Sequence, residues 1–296
     1  MLVLAKSSLS TITSKSLSQS CRKVCRKWRE GLWNNKLHDL TVQNKFTDIT
    51  ELEAQNRVWN RIRDGLPTGQ LSFLLRAGSD TLPTPMNLKR WKIKCDEKCP
   101  LCDSPWCTTH HILNGCPVAL SQGRYTWRHD CALKKLASAL GRHIEPGEKL
   151  YADLPGFRAS DNPHSTIPPD FVVTSARPDI VLVRPREVIL LELTIPYNSP
   201  ESLSKAKERK EFKQNYQLVL SDLDARGLSS SLFTIEIGAI GHWLPCTCSA
   251  LRRCFPLLNK STTTQLLDLA ASSVVAASHI IFHAQKSPMW NSEVAV

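Results

Sequence analysis

"RPDIVLVRPREVILLELTIPY", residues 177–197, contains two apolar runs on either side of a charged break, Arg184 to Glu187. Val, Ile and Leu at period 2 around a polar, Pro-containing break predict a β-hairpin. With the turn centre between Pro185 and Arg186, Asp179 and Glu192 each lie six and a half positions away and so oppose one another. Opposed antiparallel residues hold their Cβ atoms roughly 5 Å apart on one face of the sheet. Two carboxylates that close in an apolar setting repel and lose hydration unless a cation sits between them. A divalent ion meets that demand. Magnesium takes one or two carboxylates, keeps several waters and suits phosphate substrates.

Composition points to a phosphate-rich partner as well. The 38 Lys and Arg outweigh 27 Asp and Glu, for a formal net charge of +11, which attracts a polyanion whatever its sequence. At 296 residues the chain is long enough for two or three small domains. Eleven cysteines would fit a secreted disulfide protein, but the apolar start "MLVLA" is too short for a signal h-region.

The cysteines instead cluster in "KCDEKCPLCDSPWCTTHHILNGCP". Cys99 and Cys102 form a Cys-x-x-Cys pair, His111 follows, and Cys116 lies five residues further on. That spacing presents two thiolates to one ion and lets a helical turn close a tetrahedral zinc site. Cys95, Cys107 and His110 are spare candidates in the same stretch.

Working outward, residues 1–29 hold seven Lys or Arg and no acid, and read as a ragged basic start containing "RKVCRKWR". Residues 48–76 suggest helix, and "SDTLPTPMNLKRWK" a proline-broken connector. Leu133, Leu136 and Leu140 mark a helix ending at Gly141, with Arg128, His129 and Asp130 near its front. Residues 141–170 read as loop. Their "YADL", Tyr151 to Leu154, only superficially suggests a polymerase turn. After the hairpin, a helix capped by Ser199 or Ser202 runs to a stop at Gly227. Treated as one wheel, it puts Lys205, Arg209, Phe212, Tyr216, Val219 and Leu220 on an inward face, Lys213 at its margin, and Lys207 and Lys210 in solvent. Inward cations beside a carboxylate pair suit phosphodiester cleavage. "LFTIEIGAIG" is a further strand, followed by a Cys- and Pro-containing loop. The closing helix, Thr264 to Gln285, is apolar, but Asp268, His279 and His283 favour packing over a membrane span.

Pro178-Asp179, twelve intervening residues and Glu192 resemble the PD-(D/E)xK nuclease signature. With the Cys/His cluster and Arg128-His129-Asp130 upstream, the ordered set resembles the C-terminal end of non-LTR retrotransposon reverse transcriptases that carry a restriction-like endonuclease. The resemblance implies a helical and linker remnant after a polymerase thumb at 1–94, a CCHC zinc knuckle at 95–120, and a restriction-like endonuclease domain at 121–296. The fold class expected is a mixed α/β sheet flanked by helices. Asp179 and Glu192 would bind catalytic Mg2+, with Zn2+ structural at Cys99, Cys102, His111 and Cys116. Arg128 and His129 would belong to the site, and Arg90, Lys92 and Lys94 would touch phosphates. The usual third signature residue, a Lys two positions after the acid, is Thr194 here. The resemblance supplies a Lys and a Tyr from the following helix, best matched by Lys213 and Tyr216. Lys205 and Arg209 compete on helix geometry, and Arg177, opposite Thr194, on strand register. The expected activity is magnesium-dependent nicking of target DNA in the nucleus. DNA and element RNA are the expected partners and no membrane is involved. No polymerase palm occurs in the 296 residues, so a fragment without reverse transcription is expected. A zinc-containing nucleic-acid-binding remnant without turnover is the alternative.

Overall fold

Residues 14–38, 57–158 and 164–291 are described in the computed structural model. Met1–Asp48 and Ile49–Val296 form two compact units. In the first, good helix formers and the Arg26–Glu30 i,i+4 pair support one long helix, α1 (Ser14–His38), so the basic start is helical from residue 14. Residues 1–13 lie outside the described residues, as do 48–56 of the helix expected at 48–76.

The described part of the second unit opens with a helical turn at 57–62 and continues into α2 (Thr68–Gly78). The expected proline-broken connector contains a helix, α3 (Pro85–Arg90). Pro85 sits at the first helical position, where no amide hydrogen is needed, and the Thr84 side chain accepts from the Asn87 amide. A π-turn (His111–Gly115) leads into α4 (Pro117–Ser121) and then α5 (Arg124–Leu140). β1 (Lys149–Ala152), β2 (Ile180–Arg184) and β3 (Glu187–Thr194) follow, then α6 (Pro200–Glu211), α7 (Gln214–Ala225) and β4 (Ser229–Glu236). α8 (Pro245–Cys254) and α9 (Lys260–His283) close the unit.

The four strands lie in sequence order in one mixed sheet. β1, β2 and β3 are antiparallel neighbours, and β4 runs parallel to β3 after the α6–α7 crossover. The hairpin register is the one read from the sequence: Ile180 faces Leu191 and Arg184 faces Glu187. Side chains alternate between faces from there. Ile180, Leu182, Ile189, Leu191 and Leu193 pack with α5, α8 and α9 in one core. Val181, Val183, Val188 and Leu190 pack with Tyr216, Val219 and Leu223 of α7 in another. Asp179 and Glu192 share the parity of this second set.

Three local expectations are corrected. The loop at 141–170 contains β1, a strand of four residues too short to show a period. The Cys- and Pro-containing loop contains α8, started by Pro245 at its first turn. The helix expected from Ser199 to Gly227 is two helices: Ser199 does cap α6, but α6 ends at Glu211, Phe212 is 78% exposed, and Lys213 takes an extended conformation to start α7. α9 is long and apolar enough by composition to cross a membrane, yet most of that stretch is buried within this fold. The zinc segment shares a third core with α2 and the end of α9, through Leu113, Phe73, Leu74 and Phe282. The sequence-derived segments 95–120 and 121–296 therefore fall within one unit.

Candidate functional site

Glu192 is fully buried and Asp179 nearly so. The Asp179 amide donates to Glu192 Oε1 at 3.2 Å, and the Leu193 amide donates to Asp179 Oδ2 at 2.8 Å. The opposed backbones thus bind one another's side chains, which draws the two carboxylates together at the end of the hairpin. Tyr216 donates its hydroxyl to Glu192 Oε1 at 2.5 Å. Lys210 Nζ bonds Glu192 Oε2 and lies 3.8 Å from Asp179 Oδ2. His129, at 3.1 Å from Asp130 Oδ1, reaches Asp179 Oδ2 with Nε2 at 3.3 Å. Of these groups Asp179, Lys210, His129 and Asp130 border a cavity of about 390 Å3 that also touches Asp153, Arg128, Asn114 and Thr194.

The charges explain the titration behaviour. Burial alone would raise Asp179, but the hydrogen bond and charge of His129, with Lys210 and the Leu193 amide, hold it below the ordinary carboxylate range. Burial and the neighbouring Asp179 charge push Glu192 up, and the Lys210 and Tyr216 donors limit that rise. Burial would lower His129, but bonding to Asp130 and Asp179 lifts it to about 10, so it is a cation at neutral pH. Burial beside Glu192 raises Tyr216, which stays protonated and donates.

Several expected residues meet here and others do not. Asp179, Glu192, Tyr216 and His129 converge. Lys213 stands 3.2 Å from the Tyr216 hydroxyl and 4.3 Å from its ring centroid, one layer behind the carboxylates. Lys205 is corrected: it is exposed and pairs with Glu201 across one helical turn. Lys210, expected in solvent, is the cation between the two acids. The cause is the break at Phe212. A single wheel carried the phase of α7 back into α6, whereas α6 buries Leu203 and Ala206, and Lys210 continues their stripe. Arg177 turns to Asp153 at 2.7 Å instead of to the acids, while its carbonyl accepts from Tyr216 at 3.2 Å. Asp153, in the "YADL" set aside at the sequence level, lines the cavity and also binds Arg158 at 2.7 Å. Its signal was its place one residue beyond a strand too short to recognise.

Arg128 is 1% exposed. It gives Nη1 to Ser278 Oγ at 3.1 Å and lies 5.4 Å from the Tyr125 ring centroid. Its Nε finds no partner among the described residues, nor does Asn114 Oδ1, and both residues line the cavity.

Cys99, Cys102, His111 and Cys116 bring one ligand atom each to within 4.8 Å of the others. Cys99 and Cys116 sulfurs are 4.0 Å apart and Cys102 Sγ is 3.3 Å from His111 Nε2. Ligand atoms on a tetrahedral zinc with Zn–S near ~2.3 Å stand roughly 3.8 Å apart, so the cluster fits that ion. Two spare candidates turn elsewhere, His110 stacking edge-on against Tyr197 at 4.7 Å and Cys95 reaching the Pro85 carbonyl, while Cys107 is buried beside Cys99 but is not one of the four converging ligands. The π-turn aims His111 inward and lets Asn114 bond the Ile195 carbonyl at 2.9 Å, just past β3. Arg90, Lys92 and Lys94 lie exposed nearby in sequence, Arg90 at 3.6 Å from Asp80.

Residues 39–122 match the family model for the zinc-binding region in reverse transcriptase. The match covers all four clustered ligands, so this part of the chain is a retrotransposon-type zinc-binding segment. No curated protein matches the chain.

Proposed function

We propose that this protein is a magnesium-dependent endonuclease of retrotransposon type that nicks target DNA. The observation that carries the reading is the meeting of Asp179 and Glu192 with Lys210 beside an open, polar cavity. The donor set suits a hard cation: it is all oxygen, and Asp179 Oδ1 accepts no hydrogen bond among the described residues. Asp179 and Glu192 would hold Mg2+, which supplies Lewis-acid polarisation of a phosphoryl oxygen and acidifies a bound water.

The chain's own groups supply the rest. Lys210 replaces the signature Lys lost at Thr194, and its ammonium offsets charge gathering on the phosphate. Tyr216 and the Asp179 amide fix the Glu192 carboxylate. His129 holds Asp179 ionised. A DNA target implies nuclear work, with element RNA as a second partner and Arg90, Lys92 and Lys94 on its phosphates.

The test is nicking of supercoiled plasmid by zinc-loaded protein with magnesium. Open circles should form, and Asp179→Ala should abolish them. One observation favours a non-catalytic nucleic-acid-binding role: Lys210 and His129 already neutralise the acids without a metal. Equal, background-level nicking by wild type and Asp179→Ala, with the plasmid still bound by both, would favour that second role.

A further inference from the structure

A second cavity, of about 340 Å3, shares no lining residue with the one at Asp179. Among the described residues ten line it; four of these are cations, Arg57, Arg61, Arg252 and Lys260, and none of the ten is an acid. Arg61 is held by Asp268 outside the lining, at 2.6 and 3.1 Å. Arg57, Arg252 and Lys260 make no side-chain hydrogen bond or ion pair among the described residues. Like charges gathered around one concavity repel, and their natural complement is an anion.

Two helix starts add to the same field. α8 begins at Pro245 without a side-chain cap and α9 begins at Lys260, and both residues line the cavity. Each helix start carries about half a positive charge. Thr264, one turn into α9, adds a hydroxyl. Trp243 also lines the cavity, but it is 6% exposed and the Arg61 guanidinium covers its ring at 5.3 Å from the centroid. Among the described lining residues no open aromatic face is left on which a base could stack, so their chemistry favours phosphate over base.

We propose that this cavity is a phosphate-binding site and that backbone phosphates of nucleic acid fill it, as an anchor separate from the Asp179 cavity. The site accounts for binding alone and stands whether or not the chain cleaves.

The test uses the full-length, zinc-loaded chain without added magnesium. Binding of a fluorescein-labelled duplex is followed by anisotropy across a salt series for wild type and for a variant combining Arg57→Gln, Arg252→Gln and Lys260→Gln. A control combines Lys134→Gln, Lys135→Gln and Arg142→Gln, equal in charge and also exposed. The slope of log affinity against log salt should fall by about 2 to 3 in the cavity variant, since each phosphate contact contributes about 0.9. Affinity near physiological salt should fall roughly tenfold more than in the control. Slopes equal in the two variants would overturn the site. Tripolyphosphate serves as the second arm in thermal melts. Loss of its stabilising effect in the cavity variant, with the DNA slope unchanged, would overturn the nucleic-acid source and assign the site to a free polyphosphate.

Discussion

Three donors converge on the Glu192 carboxylate, and only one of them, Lys210, also reaches Asp179. That shared position makes Lys210 the residue on which turnover should depend. Lys210→Ala is expected to lower nicking by about 100-fold or more, in the range of a lost transition-state charge contact. Lys205→Ala, on the solvent side of α6, should change it less than about twofold. Comparable rates for both variants in the plasmid assay would remove Lys210 from the role. His129 gives a pH signature. Its folded pKa of about 10 exceeds its unfolded value near 6.5, so the folded state holds the extra proton between those limits. Its contribution is complete below about pH 6.5 and fades as pH rises towards 10, with a slope of at most about 1.4 kcal/mol per unit. In metal-free buffer the melting temperature should therefore fall from pH 7 to 9.5 more steeply in wild type than in His129→Gln. Parallel curves would show that His129 carries no such proton. At this scale the acids were legible because strand parity is rigid: once the turn centre is placed, the opposition of Asp179 and Glu192 follows by counting. Lys210 was not legible, since a helical wheel holds only while the helix does.

Helices and turns were legible where a residue type forces the backbone, and less so where tertiary packing decides. Ser199 caps α6, and the β2–β3 turn falls at Pro185 and Arg186, each by local chemistry. The break at Phe212 has no glycine or proline to announce it. It follows from two packing demands, Leu203 and Ala206 of α6 on one side and Tyr216 and Val219 of α7 on the other, which one straight helix would not satisfy. β1 escaped because four residues carry no readable period. The zinc segment was readable from ligand spacing, and the geometry adds its support: Leu113 and Ile112 sit in the core shared with α2 and α9. Stripping the metal should expose the Cys99 and Cys116 thiols, now buried, to a thiol reagent and lower the melting temperature. Purified protein free of zinc, with these thiols already reactive, would refute the metal assignment.

Within the second unit, α9 ties two of the three cores together. Leu267, Ala270 and Ala271 pack under the sheet, while Ile281 and Phe282 join the zinc segment. The loop after β4 threads closely past this assembly. A Cβ added at Gly238 would stand 1.9 Å from Asn198 Oδ1, and one at Gly241, where φ is +82°, would stand 2.8 Å from Val275 Cγ2. Gly238→Ala should therefore cost roughly 2 to 4 kcal/mol in urea unfolding, as overpacking with a disturbed hydrogen bond. A midpoint within error of wild type would mean the loop relaxes freely. The hairpin was legible from its apolar runs and the mixed fold class from the resemblance, but the fusion of zinc segment and sheet into one unit was not, because long-range packing leaves no local pattern. The bond from Asn114 to the Ile195 carbonyl lies at that junction, joining the turn that carries His111 to the end of the strand that carries Glu192. Whatever orders the zinc ligands therefore also steadies one wall of the cavity beside the acids, because Asn114 belongs to both.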